Sequence, residues 1–185
     1  IADFWNRYPL IDFYIVFEGE RAMVELVRAL QAVNYDVKSL KKENKPLANC
    51  HYKSGGRIVQ GDSLPRIKDL SELSSPYLSG LMDKFFDGVL IPMISTTRGC
   101  PFKCTYCSEG IDYYNKVSKR HDISAELLYI AERTGTMMDL CLTDANWGMF
   151  KEDIDKATAL AEIQDKFKWP KKLVMSSGKN QKERV

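Results

Sequence analysis

The chain has 185 residues, about the length of one or two domains, and is 44% apolar and 28% charged, which is enough to bury a core and argues against wholesale disorder. Its 27 basic and 25 acidic residues leave a net charge of +2, so composition points neither to a nucleic-acid binder nor to a protein for acidic substrates. No apolar run approaches the roughly 18 to 20 residues that span a bilayer, and the opening Ile-Ala-Asp-Phe-Trp carries no leader-like stretch, so a cytoplasmic protein without membrane contact is expected.

The first strand is expected at Ile11 to Phe17, a run dense in β-branched and aromatic residues of the kind covered on both faces in a parallel sheet. After Glu18-Gly19-Glu20, apolar residues at Met23, Leu26, Val27 and Leu30 follow the i, i+3, i+4, i+7 rule of an amphipathic helix. Gly55-Gly56 between short apolar runs predicts a small antiparallel hairpin. A helix is expected from Ser75, with Pro76 at its first position and Leu78, Leu81, Met82, Phe85 and Phe86 on one face. From Val89 the order is strand (to Thr96), Cys-rich loop, helix (Ile123, Leu127, Ile130), strand (Met137 to Leu142), helix (Phe150, Ile154, Ala157, Ala161, Phe167) and strand (Leu173 to Met175). That alternation predicts an α/β fold with a parallel sheet. The missing initiator Met and the close after a strand give the expectation of a piece of a longer polypeptide.

Three of the five cysteines fall within eight residues, in Arg98-Gly99-Cys100-Pro101-Phe102-Lys103-Cys104-Thr105-Tyr106-Cys107. An odd count in an α/β pattern argues against a disulfide framework. Three thiolates on one short loop can converge on a single centre, with Gly99 and Pro101 bending the backbone and Arg98 and Lys103 favouring the thiolate forms. Soft sulfur ligands select zinc, copper(I) or iron–sulfur clusters. No fourth Cys or His stands at metal-site spacing, His121 lying fourteen residues beyond Cys107. Three protein ligands and one open position is the layout of a site where a substrate binds at the metal. Cys50 and Cys141 read as buried small hydrophobes.

The Cys-x-x-x-Cys-x-x-Cys spacing, an aromatic before the last Cys, a strand before the loop and a helix after it resemble the cluster loop of the radical S-adenosylmethionine (SAM) enzymes over about Ile91 to Met175. The resemblance implies that Cys100, Cys104 and Cys107 each bind one iron of a 4Fe–4S cluster. The fourth iron would be chelated by SAM, and one electron would then cleave the sulfonium to methionine and a 5′-deoxyadenosyl radical. It also implies cofactor contacts at Tyr106 (near adenine), at Asp144 and Asn146 in place of the family's Gly-Gly-Glu-like segment, and at Ser176 and Ser177 after the third strand. The front of the chain resembles the subgroup with an N-terminal cobalamin-binding domain, which places Gly19 and its neighbours near a cobalamin tail.

The expected architecture is therefore the first half of a partial (β/α) barrel over 89–185, a connector with a helix over 64–88, and over 1–63 the last strand–helix unit of a Rossmann-like domain with a hairpin. The expected partners are an external one-electron reductant such as flavodoxin or ferredoxin and an unidentified substrate. Two other readings stay open: a methylthiotransferase-like or tRNA-modifying radical SAM protein, slightly favoured by the basic tail from Lys166 to Lys182, and a non-enzymatic module stabilised by zinc.

Overall fold

The computed structural model describes residues 2–178; Lys179 and Lys182 of the basic tail lie outside the described residues. The chain forms two compact units, 1–66 and 67–185.

In the first unit, helix α1 (Ala2–Arg7) precedes strand β1 (Phe13–Ile15), helix α2 (Glu20–Ala32) and helix α3 (Val37–Lys42). Strands β2 (Cys50–Ser54) and β3 (Arg57–Gln60) then form the predicted hairpin. Ser54 faces Arg57 across a two-residue turn, and Gly55 and Gly56 both take positive φ, as such a turn demands. The expected parallel setting of the first strand is corrected here. β1 pairs antiparallel with β2, Ile15 opposite Cys50, giving a β1-β2-β3 sheet with no parallel neighbour among the described strands. The apolar run is shared between that sheet and the core: Phe13 and Ile15 pack on Leu26, Leu40, Leu47 and Cys50. The helix stripe also differs. α2 buries Ala22 and Leu26 and packs Ala29 and Leu30 on the core, whereas Met23 and Val27 are exposed, so the covered face is rotated from the expected one.

The second unit holds the expected α/β core. Strands β4 (Met93–Ile94), β7 (Asp139–Trp147) and β8 (Lys172–Ser177) lie in the order β4-β7-β8, all parallel. Between β4 and β7 come the two-residue strands β5 (Thr97–Arg98) and β6 (Ser118–Lys119) and helix α4 (Ser124–Ala131); helix α5 (Asp153–Phe167) links β7 to β8. Ile94, Leu140 and Leu142 of the sheet pack on Ile123, Leu127 and Ile130 beside α4 and on Leu160 of α5, with Trp147 and Trp169 also buried.

Four sequence expectations change in this unit. The strand expected over Met137 to Leu142 runs from Asp139 to Trp147, so Asp144 and Asn146 lie within it rather than after it. Ser75 to Phe86 forms no α-helix but a succession of turns ending in a 3-10 turn (Asp83–Phe85). Gly80 takes φ +75° and interrupts the ladder, and Leu78, Leu81 and Phe85 are exposed. The strand expected over Val89 to Thr96 contracts to Met93–Ile94, because Asp87 accepts from the N–H groups of Val89 and Leu90 and turns the chain there. On α5 the buried stripe is Asp153, Lys156 and Leu160, not the row through Ile154, Ala157 and Ala161, which faces solvent.

Candidate cofactor site

Alternate residues of β7 change character along the strand, at the position of the candidate site. Leu140 and Leu142 are buried and apolar, and Asp144 and Asn146, at the same alternate positions further along, are buried and polar. The buried row thus changes character at the carboxyl end of a parallel strand, where α/β sheets place their ligands. The Cys-rich loop leaves β4 at that same end.

The loop is closed at its base by β5 and β6, with Thr97 opposite Lys119 and Arg98 opposite Ser118. Arg120 N–H adds a bond to the Thr96 carbonyl at 2.8 Å. Asp144 fastens this base from below. Its carboxylate accepts from Thr96 N–H at 2.7 Å and Thr97 N–H at 3.0 Å, and Thr96 Oγ1 donates to its other oxygen. Thr96 Oγ1 in turn accepts from Lys156 Nζ at 3.0 Å, and Lys156 reaches Asp153 Oδ1 at 3.2 Å. Asp153 Oδ2 accepts from Gly148 and Phe150 N–H at 3.1 and 3.0 Å. Lys156 is 2% exposed and Asp153 3%, so a fully buried charged chain ties α5 and β7 to the root of the loop.

Within the loop, the two-residue gap between the second and third cysteines is a β-turn. Cys107 N–H donates to the Cys104 carbonyl at 3.1 Å, which holds the two Cα atoms within about 7 Å of each other. Thr105 and Tyr106 occupy the centre of that turn, and Tyr106 is 89% exposed at its tip. A second turn follows, Gly110 N–H to the Cys107 carbonyl at 3.0 Å. Gly110 is required for the close approach: a Cβ there would overlap the Cys104 carbonyl and lie 3.2 Å from the Cys104 nitrogen. Cys100 is buried; its N–H donates to the Tyr114 carbonyl at 2.9 Å, and its Sγ accepts from Asn146 Nδ2 at 3.2 Å. Lys103, expected to favour thiolates, instead pairs with Asp112 at 2.6 Å, and that ammonium holds the Asp112 carboxyl below the usual carboxylate range.

The predicted residues therefore fall into groups. Asn146 meets Cys100, while Asp144 has its carboxylate committed to the loop base. Cys104 and Cys107 sit together at the ends of one turn. Ser176 and Ser177, expected after the third strand, are instead the last two residues of β8 and are exposed, and Gly19 stands before α2, where an added Cβ would meet only Ile15 Cγ2 at 3.9 Å. Among the described residues no three His, Cys, Asp or Glu side chains lie close enough to hold a metal, so the three sulfurs are not gathered onto one point. Thiolates converge where a metal binds them, since ligation supplies the free energy that offsets their repulsion.

The donor set fits a cluster that leaves one iron open. It comprises three thiols on one loop with a rigid root, two of them partly exposed, and beside the third a buried carboxamide whose Oδ1 has no partner among the described residues. Sequence reasoning missed Thr96, Asp153, Lys156 and Gly110. A lysine in register with Leu160, Ile163 and Phe167 on a core-facing stripe was the available signal for Lys156.

No family model matches the chain. Over its whole length it is 26% identical to a cobalamin-dependent radical SAM methyltransferase, TokK, of Streptomyces tokunonensis, and 28% identical to a 2-(S-pantetheinyl)-carbapenam-3-carboxylate methyltransferase of Streptantibioticus cattleyicolor. It spans 27% of the length of each of these relatives. Over 57% of the chain it is 35% identical to an uncharacterized methyltransferase of Pyrococcus horikoshii, covering 22% of that protein.

Proposed function

We propose, from the premise that this chain is homologous to cobalamin-dependent radical SAM methyltransferases, that it carries the cluster-binding segment of such an enzyme. Cys100, Cys104 and Cys107 would hold a 4Fe–4S cluster through three irons. When bound, the cluster and SAM supply a one-electron reductive cleavage of the sulfonium, and cobalamin supplies a methyl carrier. The observation that carries this reading is the loop itself: three thiols on a stem pinned by Asp144, with the second and third brought together by a β-turn.

The chain's own residues have separable tasks in this reading. Asp144, Thr96, Lys156 and Asp153 hold the stem rigid, so that loop closure round a cluster costs little further ordering. Asn146 Oδ1 is an acceptor of the kind a SAM α-ammonium needs. Tyr106, at the exposed tip of its turn, is placed to cover a ligand's apolar ring, and Ser176 offers an exposed hydroxyl near the end of β8. Gly19 leaves open backbone where a cobalamin tail would pass. A flavodoxin- or ferredoxin-like protein would deliver the electron, and the oxygen sensitivity of such clusters suits a cytoplasmic enzyme. Among the described residues no helix is long and apolar enough to cross a membrane.

The test is anaerobic turnover by the full-length protein with SAM, cobalamin and dithionite. Formation of 5′-deoxyadenosine or S-adenosylhomocysteine supports the reading. Neither product from protein carrying a four-iron cluster would overturn it.

A further inference from the structure

Asn146 stands 46 residues from Cys100 in sequence, yet its Nδ2 lies 3.2 Å from the Cys100 sulfur. Two independent elements meet there: the carboxyl end of β7 and the first residues after β5. Both partners are at most 4% exposed. The backbone fixes each of them separately. Cys100 N–H is held by the Tyr114 carbonyl, and the Asn146 carbonyl accepts from Met149 N–H at 3.2 Å. The side-chain contact is therefore not an incidental result of one mobile loop touching another.

The chemistry of the two groups sets the direction of the bond. A metal-bound thiolate has no proton to give and only accepts, so the amide end of the carboxamide must face it. The oxygen end is left pointing elsewhere, and Oδ1 is buried without a partner among the described residues. A buried amide satisfied at one end only is costly, and an apolar residue of the same volume would fill the position without that cost. The open oxygen is accounted for by the ligand contact proposed above, which leaves the amide end, seated on the Cys100 sulfur, with a separate task there.

We infer that Asn146 is a positioning residue for the cluster: its Nδ2–H donates to the Cys100 sulfur, fixes that ligand's orientation and raises the reduction potential by drawing off charge from the reduced centre. Hydrogen bonds to cluster sulfurs are one of the levers by which proteins set that potential, and outer residues orient ligands generally. The inference rests on the cluster reading above and adds to it a role distinct from SAM binding, carried by the other end of the same side chain.

Two near-isosteric variants separate these roles. Asn146→Leu removes both donor and acceptor; Asn146→Asp keeps the acceptor and removes the donor. The midpoint potential of the cluster is measured by electron paramagnetic resonance during a dithionite titration of the full-length holoprotein, and SAM affinity by equilibrium binding. Both variants are expected to shift the potential downward, with SAM affinity falling several-fold in Asn146→Leu alone. A potential equal to that of the wild type in Asn146→Leu overturns the inference while leaving the cluster reading intact. A wild-type protein that takes up no iron overturns the cluster reading itself, and this inference with it. Should neither variant retain a cluster, side-chain 15N-asparagine in the wild-type protein decides. A nitrogen coupling to the reduced cluster supports the inference, and its absence contradicts it.

Discussion

Asp144 accepts the backbone N–H of Thr96 at 2.7 Å, across 48 residues of sequence, and so ties the middle strand of the parallel sheet to the root of the Cys-rich loop. The same carboxylate takes Thr97 N–H and the Thr96 hydroxyl, all three in a buried setting. Replacing Asp144 by Ala leaves two buried amides without a partner, each worth about 1–3 kcal/mol. A lower urea midpoint, followed by the fluorescence of the buried Trp147 and Trp169, is expected; an unchanged midpoint would show that water or another group replaces the carboxylate.

Lys156 and Asp153 form a buried ion pair at 3.2 Å, and Asp153 also serves two backbone amides. Removing one member strands the other in a medium that cannot solvate it, at a cost of about 3–5 kcal/mol. Lys156→Met alone is therefore expected to destabilise more than Lys156→Met combined with Asp153→Asn. A double-mutant cycle in urea measures the coupling, and strictly additive single effects would remove the pair from the account.

Gly110→Ala is expected to abolish or sharply reduce cluster uptake without unfolding the sheet, because the new Cβ would enter the Cys104 carbonyl. The substitution acts on a turn outside the parallel core, so far-UV dichroism stays as in the wild type. Full iron loading of this variant would mean that the loop abandons its double turn when it binds metal.

Burial pushes the Cys50 thiol up to about 11, from an unperturbed value near 9.0. A raised folded-state value means that the native thiol holds its proton where the unfolded one loses it. The stability it contributes is complete below about pH 9 and is lost as pH rises towards 11, by at most about 3 kcal/mol. Cys50→Ala is expected to flatten that alkaline decline between pH 9 and 11, measured as the urea midpoint against pH; an identical slope in the variant would assign the decline to other groups.

How much was legible beforehand depends on the range of the interaction. The Gly55-Gly56 hairpin and the alternation of β7, α5 and β8 are local patterns, and the structure has both. The pairing of β1 was misread because a short apolar run looks alike in parallel and antiparallel sheets, and its neighbour lies 35 or more residues away at Cys50. The Ser75 segment carries a helical pattern that Gly80 and the Tyr77 hydroxyl override; that hydroxyl bonds both the N–H and the carbonyl of Met93. At the site, Asp144 and Asn146 were singled out together as cofactor contacts, by resemblance, from a segment expected to follow a strand that in fact runs through both of them. Their division of labour, one to the stem and one to Cys100, depends on contacts that no local pattern encodes.

The most direct measurement is the iron and acid-labile sulfide content of the anaerobically reconstituted full-length protein, taken together with single Cys→Ala variants at positions 100, 104 and 107. The account predicts about four of each per wild-type chain, by the stoichiometry of a 4Fe–4S centre, and their loss from each of these three variants. Cys50→Ala and Cys141→Ala are expected to keep a full complement. A full four-iron centre in the Cys104→Ala protein, or a wild-type protein that binds one zinc and no iron, would contradict it.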